Sequence, residues 1–198
     1  VLKALMRKER AARLVERDGL DPGLAGQVAS GHLTRERALE LQRIRTHRAH
    51  RIDRDALKIA EVEQVPVGIL LFDGGWRVGL IGEARTYEFD FRSADDSTPT
   101  VVQKHDVKMV CDPEAIAGLR AACGEDDSLK TEGLAGTADR EERVRPGDSE
   151  MLDLIEESVP VSLIMRDGET YDGLIRSFGR WDLELEVDGG HRATVLFH

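Results

Sequence analysis

A stretch of 27 residues is written twice in this chain, and that limits what it can fold into more than any other feature. Val65–Phe91, "VPVGILLFDGGWRVGLIGEARTYEFDF", superimposes on Val159–Leu185, "VPVSLIMRDGETYDGLIRSFGRWDLEL", at an offset of 94 without a gap. Eight positions are identical: Val65/Val159, Pro66/Pro160, Val67/Val161, Asp73/Asp167, Gly74/Gly168, Gly79/Gly173, Leu80/Leu174 and Ile81/Ile175. Most of the others keep their character, as Tyr87/Trp181 and Phe89/Leu183 do. Two copies are too few for a solenoid, so the expectation is a tandem pair of small domains of one design.

Each copy follows an amphipathic helical pattern, "DRDALKIAEVEQ" (53–64) and "DSEMLDLIEES" (148–158). Each then alternates with period two, the mark of half-buried strands. In "WDLELEV" Trp181, Leu183, Leu185 and Val187 share one face, and Asp182, Glu184 and Glu186 the other. Asp73-Gly74 and Asp167-Gly168 are hairpin turns, where glycine supplies positive φ. Gly79 and Gly173 fall inside strands, where glycine marks a sharp bend or bulge. A helix followed by short antiparallel strands bent at glycines predicts a small closed β-barrel, so the fold class is α+β, mainly β.

The rest of the chain divides around these copies. Residues 1–52 form a basic helical segment, 53–111 the first barrel, 112–147 an acidic flexible linker and 148–198 the second barrel. In the first segment Asp21-Pro22 reads as an N-cap with proline at the first helical position, Ser30-Gly31 as a stop, and Thr34 as the next cap. Two short helices joined near a glycine resemble a helix-turn-helix, and they equally suit a small helical interaction module. In the linker Asp112-Pro113 starts a short helix, "PEAIAGLRAAC", and beyond Gly124 an acidic, aromatic-free composition predicts flexibility.

Charge is distributed unevenly. Residues 1–58 hold 14 Lys+Arg against 8 Asp+Glu, and the remainder 14 against 30, so a +6 arm joins a −16 body. Such an arm suits nucleic acid, or attraction to the acidic body itself. Two cysteines, Cys111 and Cys123, form no disulfide framework or metal-ligand spacing and fit a reducing compartment. His47 and His50 share a helical face without further ligands and read as solvated polar residues. The N-terminus alternates charged and apolar residues, unlike a signal peptide, and "VPVGILLF" is too short to span a bilayer, so a cytoplasmic protein without membrane partners is expected. There is no H-E-x-x-H, phosphate-binding loop or nucleophile elbow, so neither an enzyme nor a cofactor is expected.

The stretch "VPVSLIMRDGETYDGLIRSFGRW" resembles the first motif of the Hfq family, the bacterial Sm/LSm RNA-binding proteins, with its pattern V-P-V-S-I-x-L-x-N-G-x-x-L-x-G-x-I-x-S-F. The match is direct at Val159-Pro160-Val161-Ser162, Gly168, Gly173, Ile175 and Ser177-Phe178. "VVQKHDVKMV", Val101–Val110, is similar to the second motif, V-Y-K-H-A-I-S-T-V, and together the matches cover about half the chain. The resemblance implies two Sm-like five-stranded bent barrels, each with an N-terminal helix, assembled edge to edge into a ring. Since the family's rings contain six barrels, two per chain imply a trimer. It also implies that uridine-rich single-stranded RNA lies near the pore, bases stacked on Tyr87 and Trp181 and held by a Lys-His pair. That pair is Lys104-His105 in the first copy; in the second only His198 matches, because Phe197 stands in the lysine position. Arg180 stands where a polar amide precedes the aromatic, and Thr86 is its counterpart. Placement of Tyr87 and Trp181 on the face of Phe89 and Leu183 suits two core side chains, the better expectation for most barrels.

Other positions depart from the family. The opposite face's tyrosine and lysine are Leu70 and Trp76, then Ile164 and Thr170, so no adenine-rich site is expected there. "EVEQ" and "IEES" replace an arginine-rich rim, and acidic groups repel phosphate. The first copy continues as "DVKMVC", a fifth strand, whereas the second stops at His198. Either the chain is a fragment, the preferred reading, or a neighbour lends the strand. The leading expectation is an RNA-binding post-transcriptional regulator of the RNA-chaperone type. The alternatives are a ring-forming interaction scaffold without RNA, or a DNA or RNA binder acting through its basic helices.

Overall fold

In a computed structural model the chain is described at residues 2–49, 56–94, 98–132, 146–179 and 181–197. It divides into two compact units, Val1–His50 and Arg51–His198. The first contains α1 (Leu2–Asp18), α2 (Pro22–Ser30) and α3 (Arg35–Ala49). Local chemistry sets their ends. The Gly23 and Leu24 N–H groups donate to Asp21 Oδ1 at 2.9 and 3.3 Å, Gly31 closes α2 with φ 82°, and the Arg37 N–H donates to Thr34 Oγ1 at 3.2 Å. Gln42 ties α3 to the α1–α2 turn, accepting from the Asp21 N–H at 2.5 Å and donating to the Gly19 carbonyl at 2.8 Å. Leu14, Leu20, Leu24, Ala25, Val28 and Ala38 form the core of this unit. Arg35 donates twice to Asp18, at 2.7 and 2.8 Å, and with Arg17 holds that carboxyl well below the usual carboxylate range.

The second unit opens with α4 (Ala56–Glu63), then β1 (Pro66–Leu71), β2 (Trp76–Ala84), β3 (Glu88–Ser93), β4 (Thr100–Gln103) and β5 (Val107–Cys111). After α5 (Ile116–Ala122), β6 (Cys123–Glu125) and α6 (Asp127–Glu132) come α7 (Asp148–Glu156), β7 (Pro160–Ile164), β8 (Glu169–Phe178), β9 (Asp182–Val187) and β10 (Arg192–Leu196). All ten strands join one antiparallel sheet in the order β4-β3-β2-β1-β5-β10-β9-β8-β6, with β7 also on β8. The 94-residue offset recurs in the backbone. Gln64 and Ser158 both have φ 52°, Gly74 and Gly168 φ 84° and 85°, and the β2–β3 and β8–β9 ladders both shift register just after Ile81 and Ile175. A Cβ on Gly79 would lie 2.1 Å from the Arg92 carbonyl oxygen, and one on Gly173 2.3 Å from that of Glu186. Glycine is needed because the next strand's backbone crosses that close.

The halves differ at their edges. β5 pairs with β1 on one side and β10 on the other. Among the described residues no strand lies on the second edge of β7, and Ile164 there is 50% exposed. Leu57, Val67, Ile69, Ile81, Phe89 and Phe91 centre the core of the first half.

The expectation of a flexible chain after Gly124 needs correction as far as Glu132. Cys123–Glu125 pair with Tyr171–Glu169 of β8, and the Asp126 N–H donates to the Gly168 carbonyl at 2.7 Å. Asp126 Oδ1 then accepts from the Ser128 and Leu129 N–H groups, starting α6. These residues bury few side chains and are ordered by backbone and capping bonds, which composition does not reveal. The remainder of the proposed linker, 133–145, lies outside the described residues.

Candidate nucleic-acid interface

β3 and β4 run antiparallel with Glu88 opposite Gln103, which sets Tyr87 against Lys104 just past the ladder. The Lys104 N–H donates to the Tyr87 carbonyl at 2.8 Å, and a one-turn 3-10 helix, Lys104–Asp106, then presents His105. Tyr87 is 76% exposed. The His105 side chain is 62% exposed, its Nε2 3.4 Å from Asp106 Oδ1. The second half repeats the arrangement: Asp182 faces Leu196, and the Phe197 N–H donates to the Trp181 carbonyl at 2.6 Å. Trp181 is 52% exposed. Neither aromatic is a core side chain: the alternation that buries Phe89 and Leu183 ends before reaching them, because each sits in the turn ahead of its strand. Phe197 occupies the position that Lys104 has in the first half. Arg180, His198 and His50 lie outside the described residues.

The surroundings are acidic and internally paired. Arg85, two residues before Tyr87, reaches Asp90 at 2.6 Å, Glu83 at 2.9 Å and Glu88 at 3.0 Å. The hydrogen bonds that Arg85 donates to Asp90 and then to Glu83 push its already high pKa further up. Three carboxylates around one guanidinium leave a local excess of negative charge. In the second half Arg176 and Arg192 converge on Glu186 at 2.5 and 2.7 Å, which holds that carboxyl below its ordinary value. Ser177 Oγ donates to Glu184 at 2.8 Å. On the opposite side, Leu70 faces Trp76 and Ile164 faces Thr170 in register, so no tyrosine–lysine pair stands there. No group of three or more metal-ligating side chains occurs among the described residues, and no helix among them is long and apolar enough to cross a membrane.

Sequence reasoning did not single out the contact between the two halves. Lys108, Phe72, Arg166, Asp167 and Glu169 meet there, and Lys108 is 1% exposed. The signal available was a lysine inside the apolar strand "VKMVC", which must find a counter-charge once buried.

No known family's model matches the chain, and no curated protein matches it. Among solved structures, one titled "1.55 A Crystal structure of the pleiotropic translational regulator, Hfq" aligns with 30% of this chain and 95% of its own, at 22% identity and a TM-score of 0.27.

Proposed function

We propose that the chain is an RNA-binding post-transcriptional regulator built on two Sm-like barrels, taking uridine-rich single strands on Tyr87 and Trp181 beside Lys104 and His105. The observation that carries this reading is the exposure of Tyr87 at 76%, joined through its backbone to Lys104. An exposed ring in the turn beside a paired strand end offers a stacking platform, worth about 1–3 kcal/mol per base. Binding rather than catalysis is the proposed activity, in the cytoplasm. Self-association into a ring, three chains giving six barrels, is part of the proposal. Its support is the outer edge of β4, where Val101 is 58% exposed, and the second edge of β7, neither of which carries a further strand among the described residues. Native mass spectrometry tests the ring; a stable monomer would refute it.

One observation favours a second reading, a scaffold that does not bind RNA: the guanidinium of Arg85, two residues before Tyr87, is taken up by three carboxylates. Fluorescence anisotropy with oligo-uridine and oligo-adenine at two salt concentrations separates the readings. Tyr87→Ala should weaken uridine binding about 5- to 150-fold, the equivalent of one lost stack. With Lys104 as the main cation beside the ring, the salt slope should stay at about −0.7, the contribution of one phosphate contact on a single strand. A slope of about −4 that survives Tyr87→Ala would instead assign binding to the basic helices.

A further inference from the structure

The two halves of the sheet meet along a short ladder: only Val110 opposite Thr194 and Met109 opposite Val195 pair between β5 and β10. Two residue pairs say little about which strand belongs where. Beside them lies a chemical determinant. Lys108 of β5 places its ammonium against Asp167 Oδ2 and, at 2.8 Å, Glu169 Oε2, both in the β7–β8 hairpin of the second half. The Glu169 carboxylate also accepts from the Tyr171 hydroxyl at 3.3 Å. The Phe72 ring centre is 5.4 Å from the ammonium, and Arg166 lies over the same ring at 3.7 Å. The lysine meets its carboxylates through charge and proximity rather than well-aligned hydrogen bonds, and Asp167 Oδ1 is buried without a hydrogen-bond partner among the described residues.

The first half offers a different surface at the corresponding positions. Ninety-four residues before Asp167, Glu169 and Tyr171 stand Asp73, Gly75 and Arg77. One carboxylate is missing, the other is held by Arg77 at 2.7 Å, and a guanidinium replaces the phenol. A lysine from β5 would meet a cation there.

We infer that Lys108, Asp167 and Glu169 form a charge key that admits β5 to a second-half surface and excludes it from a first-half surface. The seam inside the chain therefore has one permitted partner surface. The inference rests on the seam within one chain and not on RNA binding, so either can fail while the other stands.

Amide hydrogen exchange on the full-length chain tests it. Lys108→Glu sets a carboxylate against two others and should accelerate exchange at least about 100-fold at whichever of Met109 and Val110, and of Thr194 and Val195, donates across the seam, while Leu80, Ile81 and Phe91 in the β2–β3 ladder change little. Lys108→Glu combined with Glu169→Lys should restore protection to within about tenfold of wild type. The neutral triple variant Lys108→Met/Asp167→Asn/Glu169→Gln should stay folded, since an uncharged set of similar volume removes the desolvation cost along with the attraction. Unchanged seam amides in Lys108→Glu, equal acceleration throughout the second unit, or no rescue by Glu169→Lys would each overturn the key. So would failure of the neutral variant to fold.

Discussion

Replacing Gly79 by alanine tests the tight crossing of β3 over β2. The added methyl would lie 2.1 Å from the Arg92 carbonyl oxygen and 2.8 Å from Phe91 Cζ. The first obstacle is backbone, which cannot rotate aside, so β3 must withdraw by about 1 Å from a strand spacing near 4.8 Å. Such a shift stretches ladder hydrogen bonds from about 2.9 Å towards 3.9 Å, beyond bonding range. Two bonds at about 1 kcal/mol each are at risk. Phe91, 1% exposed and packed edge-on against Phe89 at 6.4 Å, moves with them. The expected loss is about 3 kcal/mol or more, at the upper end for overpacking. Both tryptophans, Trp76 and Trp181, belong to the second unit, so urea unfolding followed by tryptophan fluorescence reads that unit alone. Gly173→Ala, facing the Glu186 carbonyl oxygen at 2.3 Å, should cost a similar amount. A cost below about 1 kcal/mol at Gly79 would refute the close crossing.

Gly26→Ala should act in the opposite sense. Nothing lies within 4 Å of its Cβ position inside α2, so the first unit should gain about 0.5–1 kcal/mol, read by helical circular dichroism in urea. Asp18 has a folded pKa below its unfolded value of about 3.9. Its contribution is therefore complete above about pH 4 and is lost as pH falls towards the folded pKa. The helical signal of wild type should decline more steeply below pH 4 than that of Asp18→Asn; parallel curves would count against the Arg35 pairing. Burial pushes the Cys111 thiol up to about 12, whereas Cys123 is partly exposed. Iodoacetamide at pH 8 should label Cys123 on the folded chain and Cys111 only after unfolding. Early labelling of Cys111 would show that β5 opens locally.

The elements legible in the sequence were those whose signal repeats or is local. Asp21-Pro22 and Ser30-Gly31 bracket α2 as expected, because a cap depends on adjacent residues. The Asp-Gly turns anticipated both hairpins, whereas Gly79 and Gly173 mark close backbone crossings and the register shifts come only after Ile81 and Ile175. Strand β6 was not legible, since three residues carry no period and its order comes from backbone bonds to β8. The exposure of Tyr87 was only half legible. Period two assigns a face but cannot say where the buried part of that face stops, and it stops at the turn.

The divergence between the copies has a physical logic. Positions kept identical meet backbone demands: the Asp-Gly turn at Gly74 and Gly168, and the crossing at Gly79 and Gly173. At the seam the copies differ, with Phe72, Gly75 and Arg77 against Arg166, Glu169 and Tyr171. When identical subunits associate, every surface must serve in each position it occupies, and a change suiting one contact is imposed on all. Two copies in one chain remove that constraint, because a residue on the first half need never meet its own counterpart. Lys108 of β5 thus meets its two carboxylates on the second half alone, and Gly75 at the matching first-half position leaves no charge to be paired. The same freedom lets Phe197 stand in the position of Lys104, concentrating the candidate cationic contact in the first half.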